Sequence, residues 1–174
     1  DTMDVDIGPA ILVVGWPDVG ISLAGSGAGY IHEAWLGEFP AGSKENRNTA
    51  NGTAIHLMGD QHDSDVNNVI IFSGRTGVNS SCGPNRLQGV HTWNTGAEHG
   101  GTGIHLQMGS GRVHNCYLDG TPLVVHSTGM HGVAMITDNQ FLLNANLVFV
   151  ANPRWGGRSF HGMIVTGNVF NSKG

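Results

Sequence analysis

A short pattern of alternating residues returns along this chain, and it limits the possible folds more than any other feature. In Val113-x-Asn115-x-Tyr117 an apolar residue, an amide and an aromatic fall on alternate positions. A Gly120-Thr121-Pro122 turn and a second apolar run, Leu123–Val125, follow. Thr137-x-Asn139-x-Phe141 and Thr166-x-Asn168-x-Phe170 repeat the first half, and Asn146–Val150 repeats the second. Upstream, Gly89-x-His91-x-Trp93, Val66-x-Asn68-x-Ile70 and Ile31-x-Glu33-x-Trp35 fit the same frame. Its large residue stands at 35, 70, 93, 117, 141 and 170, in steps of 35, 23, 24, 24 and 29 residues. A period in the twenties, built from two short strands per unit, marks a solenoid of stacked coils.

The long steps have visible causes. Residues 37–51 and 151–159 are polar, irregular insertions, and 94–101 is a turn-rich loop. TAIHLMG (53–59) and TGIHLQMG (102–109) read as twin strands two coils apart. Apolar residues alternate or run short instead of recurring at three and four, so no amphipathic helix is expected. The 174 residues make one all-β domain, 1–174, of about seven coils. The pattern is already under way near Asp1 and stops in mid-coil at Gly174. Solenoid ends expose unpaired strand edges. The expectation is therefore an uncapped fragment of a longer chain, its ends covered by another molecule or by self-association end to end.

Composition supports this reading. Glycine supplies 28 residues and charged residues only 12%, while 39% are hydrophobic. Tight turns and strands paired along a stack account for both, where disorder would not. Eight basic residues and a net charge of −5 argue against a nucleic-acid partner. No apolar run approaches the roughly 20 residues that span a bilayer, so no membrane partner is expected. Cys82 and Cys116 read as two small buried thiols in preference to a disulfide. Asn51-Gly-Thr53 and Asn79-Ser-Ser81 are N-glycosylation sequons, with Asn51 and Asn79 as acceptors, and they lean toward secretion.

The recurring Asn68, Asn115, Asn139 and Asn168 read as a hydrogen-bonded ladder at sharp turns, and not as a row of sugar-binding amides. Trp35, Trp93, Tyr117, Phe141 and Phe170 read as an aromatic core stack in preference to a sugar platform. Motif look-alikes fail on their spacing. His32-Glu33 is followed by Leu36 where a zinc protease needs histidine. Asp63-Ser64-Asp65 opens like a calcium loop but lacks its glycine and closing glutamate. No metal and no cofactor is assigned.

On a coil stack, equivalent positions of adjacent coils lie about 5 Å apart, so residues remote in sequence can act together. A column read as His32, Asn67, Val90, His114, Asp138 and Gly167 makes His114 and Asp138 neighbours, an acid–base or orienting pair. Asp119 begins the turn one coil away from His91 and Asn94. The acidic cluster Asp60, Asp63 and Asp65 reads as a solvated turn.

Several stretches resemble a known family: GTAIHLMGD (52–60), VIIFSGRTGV (69–78), LQGVHTWN (87–94), GGTGI (100–104) and NCYLDGT (115–121). They are similar to the quartet-type polygalacturonase-like proteins of plants, relatives of pectin-degrading enzymes. The resemblance implies a right-handed parallel β-helix, a secreted cell-wall location and an acidic, pectin-type polysaccharide as partner. The Asn-Thr-Asp, Asp-Asp, Gly-His-Gly and Arg-Ile-Lys motifs of standard polygalacturonases are absent here. Catalytic candidates are therefore Asp119, Asp138, His91 and His114, with Asp119 as carboxyl acid or base and His91 as positioning or proton-relay group. Asn94, Arg112, Arg154 and Arg158 are candidates for holding the substrate. Two functions stay open: a pectin-directed glycoside hydrolase or lyase-like relative, and a non-catalytic binding or structural solenoid.

Overall fold

A computed structural model describes residues 4–16, 18–37, 52–61, 63–72, 74–93, 101–107, 110–127, 133–151 and 162–171. They form a right-handed parallel β-helix with three sheets of seven, seven and six strands and, among the described residues, no helix. Each turn of the chain adds one strand to each sheet, so neighbours in space are one coil apart in sequence. The first sheet runs from Val5–Ile7 through Asp65–Asn67, Arg86–Gln88 and Gly111–His114 to Gly162–Thr166. The second runs from Ile11–Val14 through His91–Trp93 and Tyr117–Asp119 to Val169–Asn171. The third holds Val19–Gly27, Thr53–Gln61, Thr76–Ser80, Thr102–Leu106, Leu123–Ser127 and Leu147–Ala151. The twin strands at 53 and 102 are two coils apart as expected, with Thr76 between them in register.

A coil has three strands, not two, because each stretch such as Ile31–Leu36 is broken, by one residue there and by two in the coils that follow. Ala10, Glu33, Asn68, Asn115 and Asp138 hold φ between 50° and 63° at that corner, and Gly89 and Gly167 hold 62° and 67°. A single left-handed residue turns the chain from the first sheet into the second. Side chains then alternate inward and outward. Val66, Leu87, Val113 and Ile136 stack in one fully buried row, and Ile55, Val78, Ile104 and Leu123 in another. Each such side chain contributes about 1.5–3 kcal/mol.

The corner corrects two expectations. Asn68 and Asn115 are exposed corner residues, whereas Asn139 and Asn168 stand one position later, pointing inward. The four do not form one ladder. Asn139 Nδ2 donates to Asn168 Oδ1 at 2.9 Å and to the Val113 carbonyl at 3.1 Å, and Cys116 N–H donates to Asn139 Oδ1 at 2.8 Å. The next residue of that row is Cys116 itself, whose thiol points to the Leu87 carbonyl at 3.6 Å. Both cysteines are buried thiols.

The expected aromatic core stack is also overturned. Register places Trp35, Ile70, His91, Tyr117, Gln140 and Val169 in one outward row. Only Phe141 and Phe170 of the expected set share the inward row, stacked at 4.6 Å and 11°. Trp93 lies two positions past the frame and the two Phe residues one past it, and a shift of one exchanges the faces of a strand. In the last described coil Val165 and Phe170, which continue inward rows, are exposed.

Candidate functional site

The outward rows give each face its own chemistry. On the first sheet, Tyr30, Asp65, Arg86 and Arg112 follow one another across the strands, and His32, Asn67, Gln88 and His114 form the parallel row. Between them lies an open groove of about 350 Å³. Arg86 Nε donates to Asp65 at 2.8 Å, while Arg112 has no ion pair among the described residues. Two guanidiniums against one carboxylate leave the groove positive, and amides beside them can serve hydroxyl groups. Arg112 thus lines this groove, and Arg86, which sequence reasoning passed over, lines it too.

His114 closes one end of this groove. Its Nδ1 lies 3.0 Å from Thr137 Oγ1, its partner in register, and 3.4 Å from Asp138 Oδ2. The expected contact between His114 and Asp138 is present, although Val90 is not of that column and Gln88 is. The carboxylate comes from the corner, not from the strand.

The second sheet carries the other candidates. His91, Tyr117 and Asp119 cluster there: His91 and Tyr117 meet edge-on at 4.5 Å, and Asp119 pairs in register with Trp93. Burial lowers the His91 pKa, and the negative charge of Asp119 partly offsets this. His91 Nε2 and Asp119 Oδ1 are buried without a hydrogen-bond partner. A neutral imidazole beside a carboxylate and a phenol can accept a proton at neutral pH. Asp119 and Asp138 are not paired in register: Asp119 is level with Leu142, and Asp138 stands at the corner before that strand.

The third sheet bears histidines and amides. His56, Asn79 and His105 occupy one outward row, with Gln107 and His126 beside it. Gln107 Nε2 donates to Asn79 Oδ1 at 2.9 Å, and Asn79 Nδ2 lies 3.3 Å from His56 Nε2. The amide of the Asn79 sequon is thus engaged on both sides. His105 and His126 sit 4.7 Å apart, and burial, together with that second imidazole, pushes the His105 pKa down to about 4. The shared position of His56 and His105 in the two twin strands was the signal for this face. Among the described residues no three ligating groups converge on a metal position, and no helix is long and apolar enough to cross a membrane. Asn51, Asn94, Arg154 and Arg158 lie outside the described residues.

Over 99 residues the chain is 41% identical to Polygalacturonase QRT3 of Arabidopsis thaliana. The chain is similar there to a protein named a polygalacturonase. The match takes in 55% of this chain and 20% of the relative, so the chain spans about a fifth of that protein's length. No family model matches it, and no solved structure gives a significant match.

Proposed function

We propose that this chain is the β-helical portion of a secreted, cell-wall polygalacturonase-like protein that binds an acidic, pectin-type polysaccharide along the first sheet. The observation that carries the reading is the pair Arg86 and Arg112, in register in an open groove whose described lining holds one carboxylate, Asp65, to balance them. Guanidinium groups match carboxylates in charge and fork geometry. The groove amides of Asn67 and Gln88 suit sugar hydroxyls. Similarity to a protein named a polygalacturonase supports the same substrate class. Titration with polygalacturonate oligomers tests it: Arg112→Ala should weaken binding about tenfold, and unchanged affinity would refute the groove assignment.

For hydrolysis the chain offers His91 with Asp119, and His114 with Asp138. Reducing-end release by the Asp119→Asn and Asp138→Asn variants tests these assignments; full rates in both would overturn them. A second reading, a binding solenoid without catalysis, is favoured by one observation. In register Asp119 is flanked by Trp93 and Leu142, so no second carboxylate is paired with it there, whereas a glycosidase acts through two. Filaments seen by electron microscopy at rising concentration, without sugar release, would support that reading.

A further inference from the structure

We infer, resting on the groove reading above, that the first sheet takes an acidic polysaccharide in which an uncharged sugar unit adjoins a free uronate. Asp65 is the residue that sets this preference. The groove is graded in charge along its length, and so selects an order of charged and neutral units as well as a class of polymer.

The outward row that floors the groove continues past both ends of it. In register it reads Asp6, Tyr30, Asp65, Arg86, Arg112 and Met135. Successive members stand one coil apart, about 4.8 Å, so roughly 14 Å separates Tyr30 from Arg112. Neighbouring units of one polymer laid along the row therefore meet different residues. At one end the Arg112 guanidinium makes no ion pair among the described residues, and the uncharged Met135 follows it. In the middle, Arg86 Nε donates to Asp65 Oδ1 at 2.8 Å. At the other end Tyr30 stands between two carboxylates, Asp6 on one side and Asp65 on the other. The Tyr30 ring stacks on His32 at 4.5 Å and 18°, and His32 Nε2 lies 3.0 Å from Asp6 Oδ1.

This order of charges selects its occupant. A uronate at Arg112 gains a forked contact with a guanidinium that no carboxylate already holds. A second uronate, placed nearer Tyr30, meets Asp65 and Asp6 and is repelled by both. To reach Arg86 it must displace the Asp65 carboxylate. An uncharged unit, such as a methyl-esterified galacturonate, avoids both costs. Its ester carbonyl and hydroxyls can accept from the phenol of Tyr30, which is 37% exposed. Asp65 thus acts twice, by occupying Arg86 and by opposing a second anion. A polymer charged at every unit fits the row less well than one whose charge is interrupted.

Calorimetric titration of the intact chain in low salt tests this with two probes of equal length, fully de-esterified galacturonan oligomers and partly methyl-esterified ones. The partly esterified probe should bind about threefold more tightly. Asp65→Asn should abolish that preference by raising affinity for the de-esterified probe. Arg86→Gln, which leaves Asp65 unbalanced, should widen it. High salt should shrink it. Exposed ion pairs contribute little to stability, so both variants should keep the melting temperature of the unaltered chain. Equal or tighter binding of the de-esterified probe overturns the inference, and so does a preference that persists in Asp65→Asn. If Arg112→Ala weakens both probes while Asp65→Asn changes neither affinity, the groove reading stands and the grading alone fails. If Arg112→Ala changes neither, the groove reading fails and takes the grading with it.

Discussion

Arg86 and Arg112 stand directly opposite one another on neighbouring strands of the first sheet, and the carboxylate of Asp65 neutralises only the first of them. Like charges placed opposite in a sheet cost roughly 0.2–1 kcal/mol. The arrangement opposes folding slightly and favours an anionic ligand. Arg112→Gln should therefore leave stability unchanged or raise it by about that amount, while weakening polygalacturonate binding. Thermal unfolding and titration on the same sample check both halves. A large loss of stability would mean that Arg112 has a structural role instead.

The inner amide of Asn139 should matter far more than the corner amide of Asn68. Asn139→Ala leaves the Cys116 N–H without its acceptor inside the core, a loss of about 1–3 kcal/mol. Asn68 is exposed at φ 52°. Asn68→Gly should be nearly neutral, and Asn68→Val should cost about 1–2 kcal/mol because a branched side chain resists that conformation. Denaturant melts of the three variants would reveal the ordering.

Stability should fall on mild acidification, with His105 as one source. Its pKa in the folded chain is lowered to about 4 from 6.5. Between those values the unfolded chain binds the proton more readily, so stability rises with pH across that window. The contribution is fully present above pH 6.5 and is lost as pH falls toward 4. His105→Gln should flatten the dependence of melting temperature on pH between 7 and about 4.5. An unchanged slope would assign the sensitivity to other groups.

Neither cysteine should react in the folded chain. Cys116 is 2% exposed and burial pushes its thiol up to about 12, and Cys82 is 4% exposed. Both should resist a thiol-specific reagent in buffer and react together in denaturant. Rapid labelling of either one in buffer would contradict the burial described.

The coil period and the parallel stacking were legible because every coil must present inward residues at a fixed spacing. The faces were not, and the reason is local. The corner accepts Glu33, Asn68, Gly89, Asn115, Asp138 or Gly167, residues united by backbone conformation and not by side chain. An alignment drawn on amides therefore passes from the corner at Asn115 to the inward row at Asn139 without any break in the pattern. That slip sent Trp35 and Tyr117 to the core on paper. The link between His114 and Asp138 survived it because a corner carboxylate can still lean onto the adjoining strand. The groove stayed hidden because Arg86 lies in a coil whose neighbours at that position are Asp65 and Arg112, an agreement visible only with the register in hand.

The corner that joins the first sheet to the second is only one or two residues wide in every coil after the first, so the two sheets are tied edge to edge and a ligand held on the first cannot be moved relative to the second by any loop between them.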